Sequence, residues 1–317
     1  MSPPVTTDLA CRVQMFFADY LIAQRRLSPN TVLSYRDAFK LFLNFASRHR
    51  RKPVTHLEFD DLGVETVLAF LEHLETTRGC SVRTRNARLA ALHTFFRYVA
   101  TQEPPLFGLC QRISAIPVKR TAHRPPEYLE HDEAKFVLDT IDRSTLLGRR
   151  DHLLLRVLFE TGARAEEAAT MRAEAFRLSP PHQQQVRILG KGNKERICPL
   201  RRTTAALVRA HLEERGVALD SDAPLFLSIR GTALTRFGIL RAVQRRVRYA
   251  AASFPALNKK CVGAHTFRHS AAIHLLRSGN ALPVIRSWLG HVSVATTGIY
   301  TEVDLEAKRK ALEKSAP

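Results

Sequence analysis

The chain has 317 residues and 45% hydrophobic content, enough to bury cores in two domains of ordinary size. Its 49 lysines and arginines outnumber 30 acids, giving a net charge of +19, which leaves the fold open but favours a polyanionic partner, nucleic acid before membrane. No apolar run reaches the roughly 18 residues of a membrane span, and the start MSPPVTTDLACR lacks the charged onset and apolar core of an export signal.

Apolar residues recur at helical spacing from Asp8 to about Gln24 (Leu9, Val13, Phe16, Phe17, Tyr20). Ser28 followed by Pro29 predicts a helix start, a capping hydroxyl before a proline at the first helical position. Val32, Tyr35, Phe39, Phe42 and Leu43 carry that helix to about Ser47, and a basic run from Arg48 to Lys52 ends at Pro53. A third helix is expected near Val64 to Thr76, with Val67, Leu68, Leu71 and Leu74 on one stripe. Gly79 breaks it, and Ser81 can cap a fourth helix through Leu89, Leu92, Phe96 and Val99. Residues 1–115 therefore read as a helical bundle with almost no strand signal. The other face of the fourth helix carries Arg83, Arg85, Asn86 and Arg88. It is either a solvated surface or a helix laid against DNA, and the overall charge tilts toward the second.

Residues 116–127 read as a linker: Pro117, Pro125 and Pro126 exclude continuous helix, and Lys119, Arg120 and Arg124 make it basic. Helical patterns return from Glu130 to Ile141 and from Leu147 to Phe159. Thr161 to Arg164 makes a turn, and a new helix is expected from Ala165 to Met171. A cation at a helix start is disfavoured by the dipole. Arg164 there calls either for a bound phosphate, shared between backbone N–H groups and the guanidinium, or for an ion pair to Glu167. Gln184 to Leu189 alternates polar and apolar residues (Val186 and Ile188), as does Glu195 to Leu200 (Ile197), with Gly190-Lys191-Gly192-Asn193 as the hairpin turn. Lys191 is either an ordinary solvated lysine or one brought close to a partner by its flanking glycines. Helices follow near Thr203 to Glu214 and Thr235 to Ala252, the latter with a basic ridge of Arg241, Arg245 and Arg248 suited to phosphates.

The last quarter concentrates the chemistry. His265 and Arg268 stand one turn apart at a helix start, His291 follows Leu289 and Gly290, and Tyr300 follows Thr296, Thr297 and Gly298. Two imidazoles, a guanidinium and a phenol suit phosphodiester cleavage with tyrosine as nucleophile. His265 and His269 also have the spacing of a zinc helix, but no glutamate follows His265 and no third ligand is evident. The five cysteines (Cys11, Cys80, Cys110, Cys198, Cys261) are scattered and form no C-x-x-C pair, so neither a metal nor a disulfide framework is expected. A reducing cytoplasmic setting fits them.

These residues together resemble the tyrosine recombinases of the phage integrase family, with Xer-type recombinases and transposon integrases nearest. The resemblance rests on SPNT in the second helix, TGARAEE around Arg164, GKGNKER around Lys191, HTFRH from His265 and LGHVSVATTGIYT past Tyr300. It covers nearly the whole chain, and these motifs in this order are specific where each alone is weak. It implies a mainly α fold with a small β-sheet: a helical core-binding domain over 1–115, the linker, and a mixed α/β catalytic domain over 128–317 with a C-terminal tail helix. It implies a catalytic set of Arg164, Lys191, His265, Arg268, His291 and Tyr300, with no cofactor. A site-specific recombinase would cut double-stranded DNA through a 3′-phosphotyrosyl link and assemble as a tetramer on DNA through its tail. The chain departs from the family pattern at Ala163, where leucine is usual, at Glu166, where serine is usual, and at Ala168 and Ala169, near which leucines are usual. These changes bear on packing beside Arg164. Rival readings are a type IB topoisomerase, a non-catalytic DNA-binding protein of the same fold, and a metal nuclease, which no carboxylate cluster here supports.

Overall fold

Phenylalanines organise the N-terminal half. The structure, a computed structural model, describes residues 8–121, 126–180, 182–190 and 194–290. The chain divides into two compact units, Met1–His123 and Arg124–Pro317. In the first, α1 (Asp8–Met15) runs into a π-helical stretch, Phe16–Gln24. The wider turn lets Phe16, Phe17 and Tyr20 all reach one aromatic cluster, with Phe16 5.2 Å from Phe95, Phe17 5.5 Å from Phe39 and Tyr20 5.0 Å from Tyr98. α2 (Pro29–Arg50), α3 (Val64–Thr76) and α4 (Val82–Gln102) complete the expected bundle. Both capping serines act as their sequence predicts: Ser28 Oγ accepts from the Thr31 N–H at 3.3 Å, and Ser81 Oγ from the Thr84 N–H at 3.2 Å. A fifth helix, α5 (Phe107–Ser114), packs on α4. The pattern does not signal it, because Pro104 and Pro105 read as a break and eight residues give too short a stripe.

The second unit is built around α7. α6 (His131–Asp139) precedes it, and α7 (Leu146–Thr161) buries Leu153, Leu154, Leu155, Val157 and Leu158 almost completely. α8 (Ala165–Ala169) is one short turn. A three-stranded antiparallel sheet follows in the order β1 (Phe176–Arg177), β2 (Gln185–Leu189), β3 (Glu195–Pro199). β1 is two residues long, too short for any alternation to show. Val186 and Ile188 face the core as expected, but β3 does not follow its predicted phase: Ile197 is 59% exposed, while Arg196 and Cys198 point inward. The reason is a buried acid waiting for Arg196, described below. α9 (Arg202–Glu214), α10 (Arg236–Ala251), α11 (Ala264–Arg277) and α12 (Leu282–Leu289) close the unit. The tail from 304 onward lies outside the described residues.

One carboxylate pins α10 to α7. Asp151 is fully buried on α7; its Oδ1 accepts from Arg150 Nη2 at 2.6 Å, and its Oδ2 from Arg245 Nη2 and Arg246 Nε at 2.7 Å each. Arg245, expected on an outward phosphate ridge, therefore spends part of its guanidinium on an internal anchor, though its side chain is still 48% exposed. Arg241 and Arg248 are exposed on the same helix. Among the described residues, no helix is long and apolar enough to cross a membrane.

Candidate active site

The chain reverses between α7 and α8 because Gly162 takes a left-handed conformation (φ +60°), closing α7 with its N–H on the Leu158 carbonyl. A Cβ there would stand 2.5 Å from Leu289 Cδ2, so the end of α12 lies directly against this turn. The buried guanidinium of Arg268, 3% exposed on α11, fixes the crossing: Nη1 donates to the Gly162 carbonyl at 2.7 Å and Nη2 to the Leu289 carbonyl at 2.6 Å. Two segments far apart in sequence, each leading into a candidate catalytic residue, are thereby joined through a third.

Arg164 caps α8. Its side chain is 32% exposed, and Nη1 donates to Glu167 Oε1 at 2.6 Å while its backbone N–H donates to Glu167 Oε2 at 2.9 Å. Both readings of this arginine therefore meet in one place: the ion pair exists, and the guanidinium still lines a cleft of about 560 Å³. Glu167 also accepts from Arg196 Nη2 at 2.6 Å. Burial alone would raise the Glu167 pKa, but the Arg196 and Arg164 hydrogen bonds and charges outweigh it and hold the carboxyl below its ordinary value. Arg196 further donates from Nε to the Trp288 carbonyl at 2.9 Å. Arg196 is the residue sequence reasoning misses. The only signal was its place in an alternating strand opposite Ile188, and apolar Ile197 next door took precedence.

His265 sits on the first turn of α11, its rim exposed but its ring closely surrounded, with His269 6.4 Å away between ring centroids. Burial, then the Arg268 and Arg164 charges, hold its imidazole below the ordinary histidine value. His269, more enclosed, is pushed down to about 4 by burial, then by His265 and Arg268. Both rings are therefore neutral at pH 7, the form in which one can accept a proton. His265 also lines a second, largely apolar cleft of about 340 Å³ with exposed Phe237, Gln244 and Cys261. Arg164 lines the first cleft and its neighbour Ala165 the second.

Of the six predicted catalytic residues, Arg164, His265 and Arg268 come together. Lys191, His291 and Tyr300 lie outside the described residues, but Gly190 and Gly290, which immediately precede two of them, both line the Arg164 cleft. Among the described residues, no group of three or more histidine, cysteine or acidic side chains converges as a metal site.

The predicted DNA face on α4 needs correction at Arg85. That residue is 4% exposed, and its guanidinium donates to the Pro117 carbonyl at 3.2 Å and to Asn86 Oδ1 at 3.1 Å. Asn86 in turn donates to the Lys119 carbonyl at 2.8 Å and accepts from its N–H at 3.2 Å. Arg88 donates to the Ser34 carbonyl at 3.0 Å, and Arg83 is exposed. The pattern takes Arg85 as outward because its neighbours are polar. In fact it holds the chain where it leaves the bundle.

Comparison with known proteins gives the family of the chain. The phage integrase family matches residues 127–307, and the phage integrase N-terminal SAM-like domain matches residues 15–103. A putative integrase/recombinase, y4rC of Sinorhizobium fredii, is 41% identical over 98% of this chain and 92% of its own length. The tyrosine recombinase XerC of Pelobacter propionicus is 30% identical over 95% of this chain and 94% of its own. Among solved structures, the XerH site-specific recombinase bound to its difH substrate after cleavage is similar with a TM-score of 0.70 and 25% identity, over 91% of this chain and 80% of that one. The Tn1549 transposon integrase shares the fold with a TM-score of 0.69 at 15% identity, over 96% of this chain and 99% of that one. With both domain families matched in order and relatives aligned along nearly its whole length, the chain belongs to the phage integrase family and is a tyrosine recombinase.

Proposed function

We propose that this recombinase cleaves a specific double-stranded DNA site with Tyr300, holding the DNA end as a 3′-phosphotyrosyl ester and rejoining it to a new partner strand. The observation that carries the reading is the convergence of Arg164, Arg268 and a neutral His265, the buried Arg268 holding the Gly162 turn two residues before Arg164 and its charge acting on His265. A free tyrosine has a pKa near 10, so at pH 7 only about one in a thousand is ionised. A base that takes the proton during attack removes that barrier, and a neutral His265 would serve as that base. Attack builds negative charge on the nonbridging phosphate oxygens. Planar guanidinium forks match those oxygens, each well-aimed donor being worth about 3 kcal/mol. His291 would share the same phosphate, and Lys191 on its hairpin would protonate the leaving 5′ oxygen. One ester replaces another, so the strand can be resealed without an outside energy source.

In this reading residues 1–115 form the DNA-embracing arm and residues 128–317 carry the chemistry. Exposed Arg83 on α4 and Arg241 on α10 are the strongest of the predicted DNA contacts, with Arg88 and Arg245 contributing what their internal bonds leave free and Asn86 set by the linker. The tail past Asp304 would couple protomers into a tetramer on DNA.

The test is chemical mapping. Incubation with nicked suicide duplexes bearing the target site should trap a covalent adduct, and digestion should leave a nucleotide remnant on the peptide containing Tyr300. A remnant elsewhere, or no adduct on any duplex recovered from the host genome, overturns the reading.

The acid limb of the reaction follows from His265. Its pKa lies below 6.5, so the neutral base persists as pH falls past 6.5 and is lost only at lower values. The second-order rate of adduct formation, which reports the free enzyme, should therefore have its acid midpoint below pH 6.5. A break above pH 6.5 would remove His265 as the base.

A further inference from the structure

Glu167 is one buried carboxylate shared by two arginines that both line the cleft, and of the two Arg164 is the more exposed. Oε1 takes Arg164 and Oε2 takes Arg196, both at 2.6 Å. The Arg196 side chain is 7% exposed and that of Glu167 5%, whereas that of Arg164 is 32% exposed. The three groups together carry a net charge of +1. Without Arg196, Glu167 Oε2 would keep only the Arg164 backbone N–H, and the buried anion would face a single cation. It would turn both oxygens on Arg164, forming a bidentate pair that neutralises the guanidinium and draws it away from a phosphate.

Arg196 also meets the two glycines that lead into unseen candidate residues. A Cβ at Gly190 would stand 3.4 Å from Glu167 Oε1 and 3.6 Å from Arg196 Nη1, and one at Gly290 would stand 3.1 Å from Arg196 Cδ. Its Nε holds the Trp288 carbonyl in the last turn of α12. The α8 cap, the β2–β3 hairpin and the end of α12 thus meet on this one side chain.

We propose that Arg196 is a positioning residue for strand cleavage: it occupies Glu167 Oε2, so that the carboxylate engages the Arg164 guanidinium through Oε1 alone and leaves the other donors of Arg164 for the scissile phosphate. The proposal rests on the function proposed above. It makes a prediction that a merely structural arginine does not, because the damage from losing Arg196 passes through Glu167.

The experiment is a double-mutant cycle in the full chain, reading single-turnover adduct formation on a saturating nicked suicide duplex. Arg196→Met should slow cleavage about a hundredfold, the effect of a small misplacement of a reacting group, with DNA affinity unchanged. Adding Glu167→Gln to Arg196→Met removes the stranded anion and should restore a substantial part of the rate. Arg196→Lys, which keeps the charge without the fork, should fall between parent and Arg196→Met. If Arg196→Met does not fold, the same cycle is run with Arg196→Lys, where Glu167→Gln should again raise the rate. A double variant as slow as or slower than the single one overturns the positioning role, as does Arg196→Met cleaving at the parent rate. A parent protein that forms no adduct with any duplex overturns the function itself, and so separates the two failures.

Discussion

Replacing Arg268 with alanine is expected to abolish detectable adduct formation and to destabilise the C-terminal unit at the same time. The two losses come from different atoms of one side chain. Its inner N–H groups hold the Gly162 and Leu289 carbonyls at 2.7 and 2.6 Å, and the residue is 3% exposed, so no water easily replaces them. Leaving a buried carbonyl without its donor costs about 1–3 kcal/mol. Losing phosphate donors costs about 10²–10³ in rate, and the released turn at Gly162 would also free Arg164 two residues on. Arg268→Lys keeps the charge but not the planar fork. It should retain more stability than the alanine variant while still cleaving far more slowly than the parent. An alanine variant that forms adduct at the parent rate would remove Arg268 from the site.

The largest loss of stability is expected at Asp151, far from any chemistry. It is fully buried, and three guanidinium groups depend on it. Asp151→Ala leaves Arg150, with 10% of its side chain exposed, and Arg246, with 15%, without their charge partner. Removing one member of a buried ion pair typically costs about 3–5 kcal/mol. Arg245 can turn to solvent, so the total should not exceed that range. Trp288 is the sole tryptophan and lies in the same unit, its indole N–H on the Glu160 carbonyl at 2.9 Å. Its fluorescence in urea therefore follows that unit alone, and the midpoint should fall well below that of the parent. An unchanged midpoint would show that the arginines find other partners.

Much of the architecture was legible because helices announce themselves through caps and stripes. Ser28 and Ser81 marked two starts by a hydroxyl at the right place, and the apolar spacing did the rest. What escaped notice was set by partners distant in sequence. Arg85 looks outward by its neighbours and is drawn in by the Pro117 carbonyl, 32 residues on. Arg196 looks like the polar half of an alternation and is drawn in by Glu167, 29 residues earlier. A charged side chain buries only when its counter-group is already buried, and periodicity holds no record of that. The candidate site shows the same split. Arg164 and its possible pairing to Glu167 were readable from one turn of helix, whereas the carboxylate's second arginine was not.

The inverted phase of β3 has one more effect. Among the described residues β3 lies at the margin of a three-stranded sheet, paired with β2, and such margins invite misalignment and strand addition by other chains. Here a slip of one residue would turn Arg196 to solvent and force Glu195 and Ile197 inward, abandoning the Glu167 carboxylate. The inward cation therefore works as a lock on the alignment of β3 with β2, set by one buried carboxylate rather than by the strand's own alternation.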